Sequence, residues 1–329
     1  MKEKAFVNFV LLNAYSLESF NLFFGKMGCS LSLFEYSRNF NDELAEKHAF
    51  ELLQEVLASS MRENTFNEGK MGIAWALIYL INGQYIEAEY EELYGQEHNE
   101  ILSFIEQIEN DNTNITNHLD AIYFLISTKK YVSKSILTKT IYRSTENILA
   151  YCKIAPKNIF ECDSFYYTGT RIVDCYNRYK ELYSYKEKLV SAIVQTAIVL
   201  FDEGYMCNNI SFGINLLQYG ICNKHEDIIQ FANIIIECYL SNINFKAIDL
   251  KEAIDVTYYI NRLQKLNKKS TYWYIEREIS NLLLNKESHL YKKEKSELNT
   301  LKEGIPRLLL MECLINKNIN HNGHFIMLQ

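Results

Sequence analysis

Proline is nearly missing from this chain: there are two in 329 residues, Pro156 and Pro306, alongside twelve glycines. An all-β protein of this length would need many more turn residues, so long helices are the expected fabric. No CxxC pair occurs, and the eight cysteines are scattered, mostly inside apolar stretches. Free cysteine packs as a small hydrophobe, so they are expected as buried, reduced thiols in a reducing compartment, the cytoplasm. No apolar run approaches the roughly 18 residues that a membrane span takes, and no span is expected. The stretch from Ala5 to Tyr15 is interrupted by Asn8 and Asn13, and no small-x-small cleavage pattern follows. It reads as a first packed helix rather than a secretory signal. Blocks of five or more like charges are also missing, and the formal net charge is −7. Binding to nucleic acid depends on neutralising phosphate, so nucleic acid is not expected as a partner.

What is present suits a folded core: 48% hydrophobic and 23% charged residues. No Pro/Gly/Ser-rich linker interrupts the chain, so residues 1–329 are expected to form a single domain. Its organisation comes from an internal repeat. Gly25-Lys26-Met27-Gly28 returns as Gly69-Lys70-Met71-Gly72, and each tetrad is followed by an apolar run. Between them, Asn41 and Asp42 offer N-cap oxygens, and Leu44, Ala45, His48, Ala49, Leu52, Leu53, Val56 and Leu57 recur at helical spacing. One unit is thus a glycine turn, an apolar helix and an amphipathic helix that returns.

Weaker copies follow at Ala121, at Gly169 to Ile172, at Gly213, at Ala253 and at Gly304, which makes seven units at a mean spacing of about 46 residues. Amphipathic candidates fill the gaps, at 141–152, 189–201, 228–239 and 275–284. The apolar helices need to be surrounded, whereas the amphipathic ones need water on one side. An inner ring and an outer ring satisfy both needs, so the expected fold is an all-α, α/α toroid of about seven helical hairpins. An open solenoid would bury similar surface but normally needs polar terminal caps.

The two tetrads and their weaker copies, set before apolar helices seven times at this period, resemble the lanthionine synthetase C-like family. The resemblance covers nearly the whole chain and is clearest over Phe66 to Leu77, over Asn208 to Ile214 and in Gly304-Ile305-Pro306. It implies a seven-fold double-layered α-toroid. It also implies the chemistry of the family's cyclases, which bind zinc and add a peptide cysteine thiolate across a dehydrated Ser or Thr. That reaction needs a metal or cation to form the thiolate and a proton donor for the resulting enolate.

The residues depart from the pattern where that chemistry resides. The family's first ligand Cys falls on Ile248 and Asp249, and its Cys-His pair falls on Asn299 and Thr300. Alkyl and amide side chains do not replace a thiolate and imidazole set. The central Ser-His-Gly segment reads Ser211-Phe212-Gly213, and the alternative register brings Asn208 and Asn209 there instead. The expectation is a degenerate, zinc-free relative with no cofactor, whose partner is a peptide or a peptide-modifying enzyme.

Helix starts at one mouth of the toroid would gather Asn67, Glu68, Asn117, His118, Thr168, Asn208, Asn209, Asp249, Asn299, Thr300 and Glu303. They form a peptide-binding rim on one reading and ordinary N-caps on the other. His118 could pair with Glu68 or Asp249 for acid/base work, which would leave a cyclase with a different site. Glu68, Asp249 and Glu303 form the carboxylate set that a glycan-active toroid would use. Cys222-Asn223-Lys224-His225, near Cys207, fits no zinc spacing and reads as core plus loop. Phe165-Tyr166-Tyr167 could line a peptide or sugar groove or belong to the core. Lys286 to Lys295 reads as a solvated face.

Overall fold

A computed structural model describes residues 2–108, 114–207, 209–244, 248, 250–267 and 305–316. Among the described residues every regular element is helical. The helices are α1 (Lys2–Asn13), α2 (Lys26–Phe40), α3 (Glu43–Ala58), α4 (Lys70–Asn82), α5 (Tyr90–Ile108), α6 (Ile115–Ser127) and α7 (Lys134–Cys152). They continue with α8 (Ile159–Arg178), α9 (Tyr183–Asp202), α10 (Ile210–Asn223), α11 (Glu226–Asn242), α12 (Leu250–Asn267) and α13 (Ile305–Asn316). None of the described helices is long and apolar enough to cross a membrane. The expected amphipathic helix at 275–284 and the Lys286 to Lys295 segment lie outside the described residues.

These residues gather into two compact units, one comprising residues up to 104, 248, 250–258 and 305–316, the other 105–244 and 259–267. In the first, α2 is buried from Lys26 through Ser37, as an apolar repeat helix must be. The helix ends at Asn41, which adopts the left-handed conformation (φ 51°) tolerated by asparagine. Asp42 then caps α3, its carboxylate accepting the Leu44 and Ala45 N–H groups at 3.1 and 3.0 Å. In α3, Ala45, Ala49, Leu52, Leu53 and Val56 are buried, a single stripe at helical spacing that packs on α2. The last described helix, α13, packs against α1 and α2.

The two glycine tetrads build the same loop twice. Lys26 N–H donates to Ser19 O and Lys70 N–H to Glu63 O, both at 2.9 Å. Gly25 and Gly69 have extended φ values (−132° and −134°), so backbone freedom is not what selects glycine there. Space does: a Cβ would lie 2.5 Å from Ser19 O at Gly25 and 2.4 Å from Glu63 O at Gly69. At Gly72 a Cβ would meet Phe66 O at 2.1 Å. The lysines repeat as well, Lys26 pairing with Glu55 and Lys70 with Glu100 on the amphipathic helix that follows each.

The second unit starts its apolar helices differently. Asn114 caps α6, Asn158 caps α8 and Asn209 caps α10, each side chain accepting a backbone N–H from the first turn. The glycine turn expected at Gly169 is not there. Gly169 lies inside α8, where the missing Cβ admits the Phe212 ring of α10, 3.1 Å from where it would stand. Gly213 likewise lies inside α10 and lets that helix approach Ile235 and Ile236 of α11. At these two positions glycine serves helix crossings rather than turns, whereas Gly204, at φ 89°, ends α9.

Candidate functional site

The helix-start end of the second unit is where the sequence places most of its described polar rim. Contacts between α8 and its neighbours climb together along the chain. Tyr166 meets the Phe212 ring (centroids 5.4 Å apart), and Thr170 O accepts from Asn215 Nδ2 at 3.2 Å. On the other side Arg171 meets Asp120 at 2.8 Å, and Tyr179 meets Tyr123 with centroids 6.0 Å apart. Both α6 and α10 therefore run parallel to α8, with their first residues near the level of residue 166. Some seven residues of α8 extend beyond them, roughly 10 Å at about 1.5 Å per residue.

This overhang has a structural cause in the sequence. Asn158 Oδ1 accepts from Glu161 N–H at 3.0 Å, while the Glu161 carboxylate accepts from Lys157 N–H (2.8 Å) and Asn158 Nδ2 (2.7 Å). The reciprocal pair fixes the helix start ten residues before Gly169. One face of the extension is anchored: Cys162, Phe165 and Tyr166 are buried, Phe165 stacks on Tyr151, and Tyr166 Oη donates to Tyr205 O at 3.1 Å. The other face is bare, with Phe160 82% and Ile159 60% exposed; Ile154, in the α7–α8 link, is 64% exposed. Of the aromatic triplet read as a possible groove, Phe165 and Tyr166 belong to the core and Tyr167 is exposed.

The rim residues can be located one by one. Thr168 is half-buried ten residues into α8, level with the starts of its neighbours. Asn117 lies in the first turn of α6 and donates its backbone N–H to the true cap, Asn114. Asn209 accepts from the backbone N–H and the hydroxyl of Ser211, so its side chain serves its own helix. His118 is fully buried between α6 and α7. Asn147 Nδ2 donates to its Nε2 at 3.0 Å, and Nδ1 faces Ser144 Oγ at 3.2 Å. Asn67 and Glu68 stand in the first unit, Asn67 half-buried with its carbonyl accepting from Phe23 N–H, Glu68 exposed. Asn208, Asp249, Asn299, Thr300 and Glu303 lie outside the described residues.

Sequence reasoning missed the charged interior beneath this end. Asp120 and Arg171 pair at 2.8 Å across α6 and α8. Burial works against the Arg171 cation, but the Asp120 carboxylate more than offsets it and holds the guanidinium charged. One turn on, Asp174 pairs with Arg178, and Arg262 of α12 lies 3.9 Å away. Neither Asp174 oxygen takes a well-formed hydrogen bond from the described residues. Arg262 also donates to Asn215 Oδ1 at 2.7 Å and to Gln218 of α10. A signal existed: Asp120, Arg171 and Asp174 are single charges inside apolar runs, where a charge persists only with a partner.

Elsewhere in this unit a groove of about 440 Å3 opens where α9 meets the start of α11, lined by Ser191, Gln195, Lys224, His225, Glu226 and Asp227 among others. His225 stacks on Tyr219, and Cys222, next to the last residue of α10, is exposed rather than buried as expected. Burial pushes the Cys207 thiol up to about 12. No group of three or more His, Cys, Asp or Glu among the described residues could hold a metal ion. No protein-family model matches the chain, and no curated protein matches it either.

Proposed function

We propose that the chain is a zinc-free relative of the lanthionine synthetase C-like proteins that works in the cytoplasm and binds a peptide segment at the helix-start end of its second unit. The observation that carries this reading is the overhang of α8, whose exposed Ile159 and Phe160 stand at the end expected to hold the rim. Isolated exposed apolar residues are ordinary, but two on a capped, anchored helix start form a surface for a peptide to cover.

The proposed fold is the closed α/α toroid of seven hairpins. Support comes from the duplicated glycine loops, from the alternation of apolar and one-sided helices, and from the packing of α13, the seventh apolar helix, on α2, the first. The zinc of the family does not fit the donor chemistry. Of the two residues at the first ligand position, Ile248 is a buried alkyl side chain with no lone pair to offer, and Asp249 lies outside the described residues. No step of thioether chemistry is therefore assigned to this chain.

Selection of random twelve-residue peptides on the immobilised full chain tests the reading, with the Ile159→Ser/Phe160→Ser variant as counter-target. Peptides that hold the natural chain and release from the variant are expected. A failure to enrich any peptide overturns it. Stoichiometric zinc retained after dialysis overturns the zinc-free part separately.

A further inference from the structure

The overhang carries charge as well as apolar surface, and its sign narrows the partner. On α8, Phe160, Asp163, Ser164 and Tyr167 are all exposed and recur at the three- and four-residue spacing that puts them on one face. Glu161 is exposed on the same turn, and Asp202 and Glu203 are exposed at the end of α9. Glu203 comes close enough to the α8 start that the Cys162 thiol is raised by burial and then by Asp163, Glu161 and Glu203. The Tyr166 bond to Tyr205 ties the same α9–α10 link to α8. Asp163, Glu161 and Glu203 thus gather at the start of α8, against Lys153 and Lys157 in the α7–α8 link.

We infer that this face docks a polypeptide segment in which Lys or Arg side chains alternate with apolar ones, the apolar groups covering Ile159 and Phe160 and the cations meeting Asp163 and Glu203. A cation held over an aromatic face beside a carboxylate gains from both. Other occupants fit less well. A second copy would bring the same patch against itself, as a two-fold contact requires, and would set Asp163 and Glu203 against like charges. An anionic membrane surface would meet the same repulsion. The inference rests on the peptide-binding reading above and adds the sign and pattern of the peptide.

The test uses three fluorescein-labelled peptides of one length, built from leucine and lysine, leucine and glutamate, or serine and lysine, titrated by anisotropy into the full chain at physiological salt. The leucine–lysine peptide should bind about tenfold or more tighter than the other two, and Phe160→Ser or the pair Asp163→Lys/Glu203→Lys should each remove about tenfold. Glu91→Lys/Glu92→Lys on α5 controls for net charge and should leave affinity unchanged. Circular dichroism confirms that each variant keeps its helix content. Binding of the leucine–glutamate peptide with the same dependence on Phe160 overturns the charge inference while the peptide-binding reading stands. Affinity that ignores all these substitutions overturns the assigned face. Self-association on sedimentation that Phe160→Ser abolishes identifies a second copy as the occupant and overturns the inference. Failure of these probes together with failure of the random selection overturns both.

Discussion

Arg171 of α8 and Asp120 of α6 form an ion pair of 2.8 Å in which the two side chains are only 9% and 3% exposed. The pair joins Tyr123, whose hydroxyl donates to Arg171 O at 3.2 Å, in holding the register of α6 on α8. Removing one charge leaves the other buried without its counter-ion. Arg171→Met is expected to destabilise the chain by about 3–5 kcal/mol, whereas Asp120→Leu/Arg171→Met together should recover most of the loss. Urea unfolding of the two single variants and the double variant checks this. A double variant as unstable as Arg171→Met would show that the pair's value lies in other bonds of these groups.

How far the sequence could be read depended on what each residue does. The repeat was legible at Gly25 and Gly69 because the same loop is built twice, and in both copies a Cβ would strike a carbonyl. It misled at Gly169, because a glycine that admits a neighbouring ring looks the same in one sequence as a glycine that ends a turn. The true start of α8 was nevertheless written in Asn158 and Glu161, three residues apart, as a capping pair. The rim residues were legible as helix starts, but which of two nearby residues caps, Asn114 or Asn117, depends on local backbone geometry. The interior pairs were not legible as pairs. Asp120 and Arg171 are 51 positions apart, and only the packing of α6 on α8 brings them together.

The glycines also separate by mechanism. Gly72→Ala would drive a methyl into Phe66 O, 2.1 Å from its Cβ position, and backbone must move to admit it. A loss of about 2 kcal/mol or more is expected, in the range of overpacking. Gly95 has nothing within 4 Å of its Cβ position and lies within α5. Gly95→Ala should therefore stabilise by about 0.4–1 kcal/mol, through the unfolded chain. Thermal and urea unfolding of both variants should move in opposite directions. Equal losses would sink the account in which space, rather than helix propensity, sets the outcome.

The cysteines predict a labelling order. Cys222 is exposed and Cys238 half-buried, whereas Cys29, Cys152 and Cys207 are buried with thiols pushed up to about 12. At pH 8 a thiol at that value is ionised in only about one molecule in ten thousand, and the thiolate is the reactive form. Alkylation of the native chain followed by peptide mapping should mark Cys222 first and Cys238 next. The buried thiols should label only in urea. Early modification of Cys29 or Cys152 would mean that the helices around them open.

The last prediction concerns pH. Tyr15, in a 3-10 turn after α1, donates its hydroxyl to Glu51 of α3, and His48 Nδ1 lies 2.6 Å from the same oxygen. Burial, and then the Glu51 bond, raises the Tyr15 pKa well above the phenol range, while the Tyr15 bond is the largest of the effects that lower Glu51. A raised tyrosine contributes stability that is complete below the unfolded value of about 10 and fades as pH climbs through the folded one. A lowered glutamate contributes stability that is complete above its unfolded value of about 4.3 and fades as pH falls through the folded one. Both are therefore present together between about pH 5 and 10. Tyr15→Phe should lower the urea midpoint across that window, and its difference from the natural chain should shrink at both ends. A difference that stays constant from pH 3 to 11 would mean that the hydroxyl acts by packing alone and that its proton is not linked to folding.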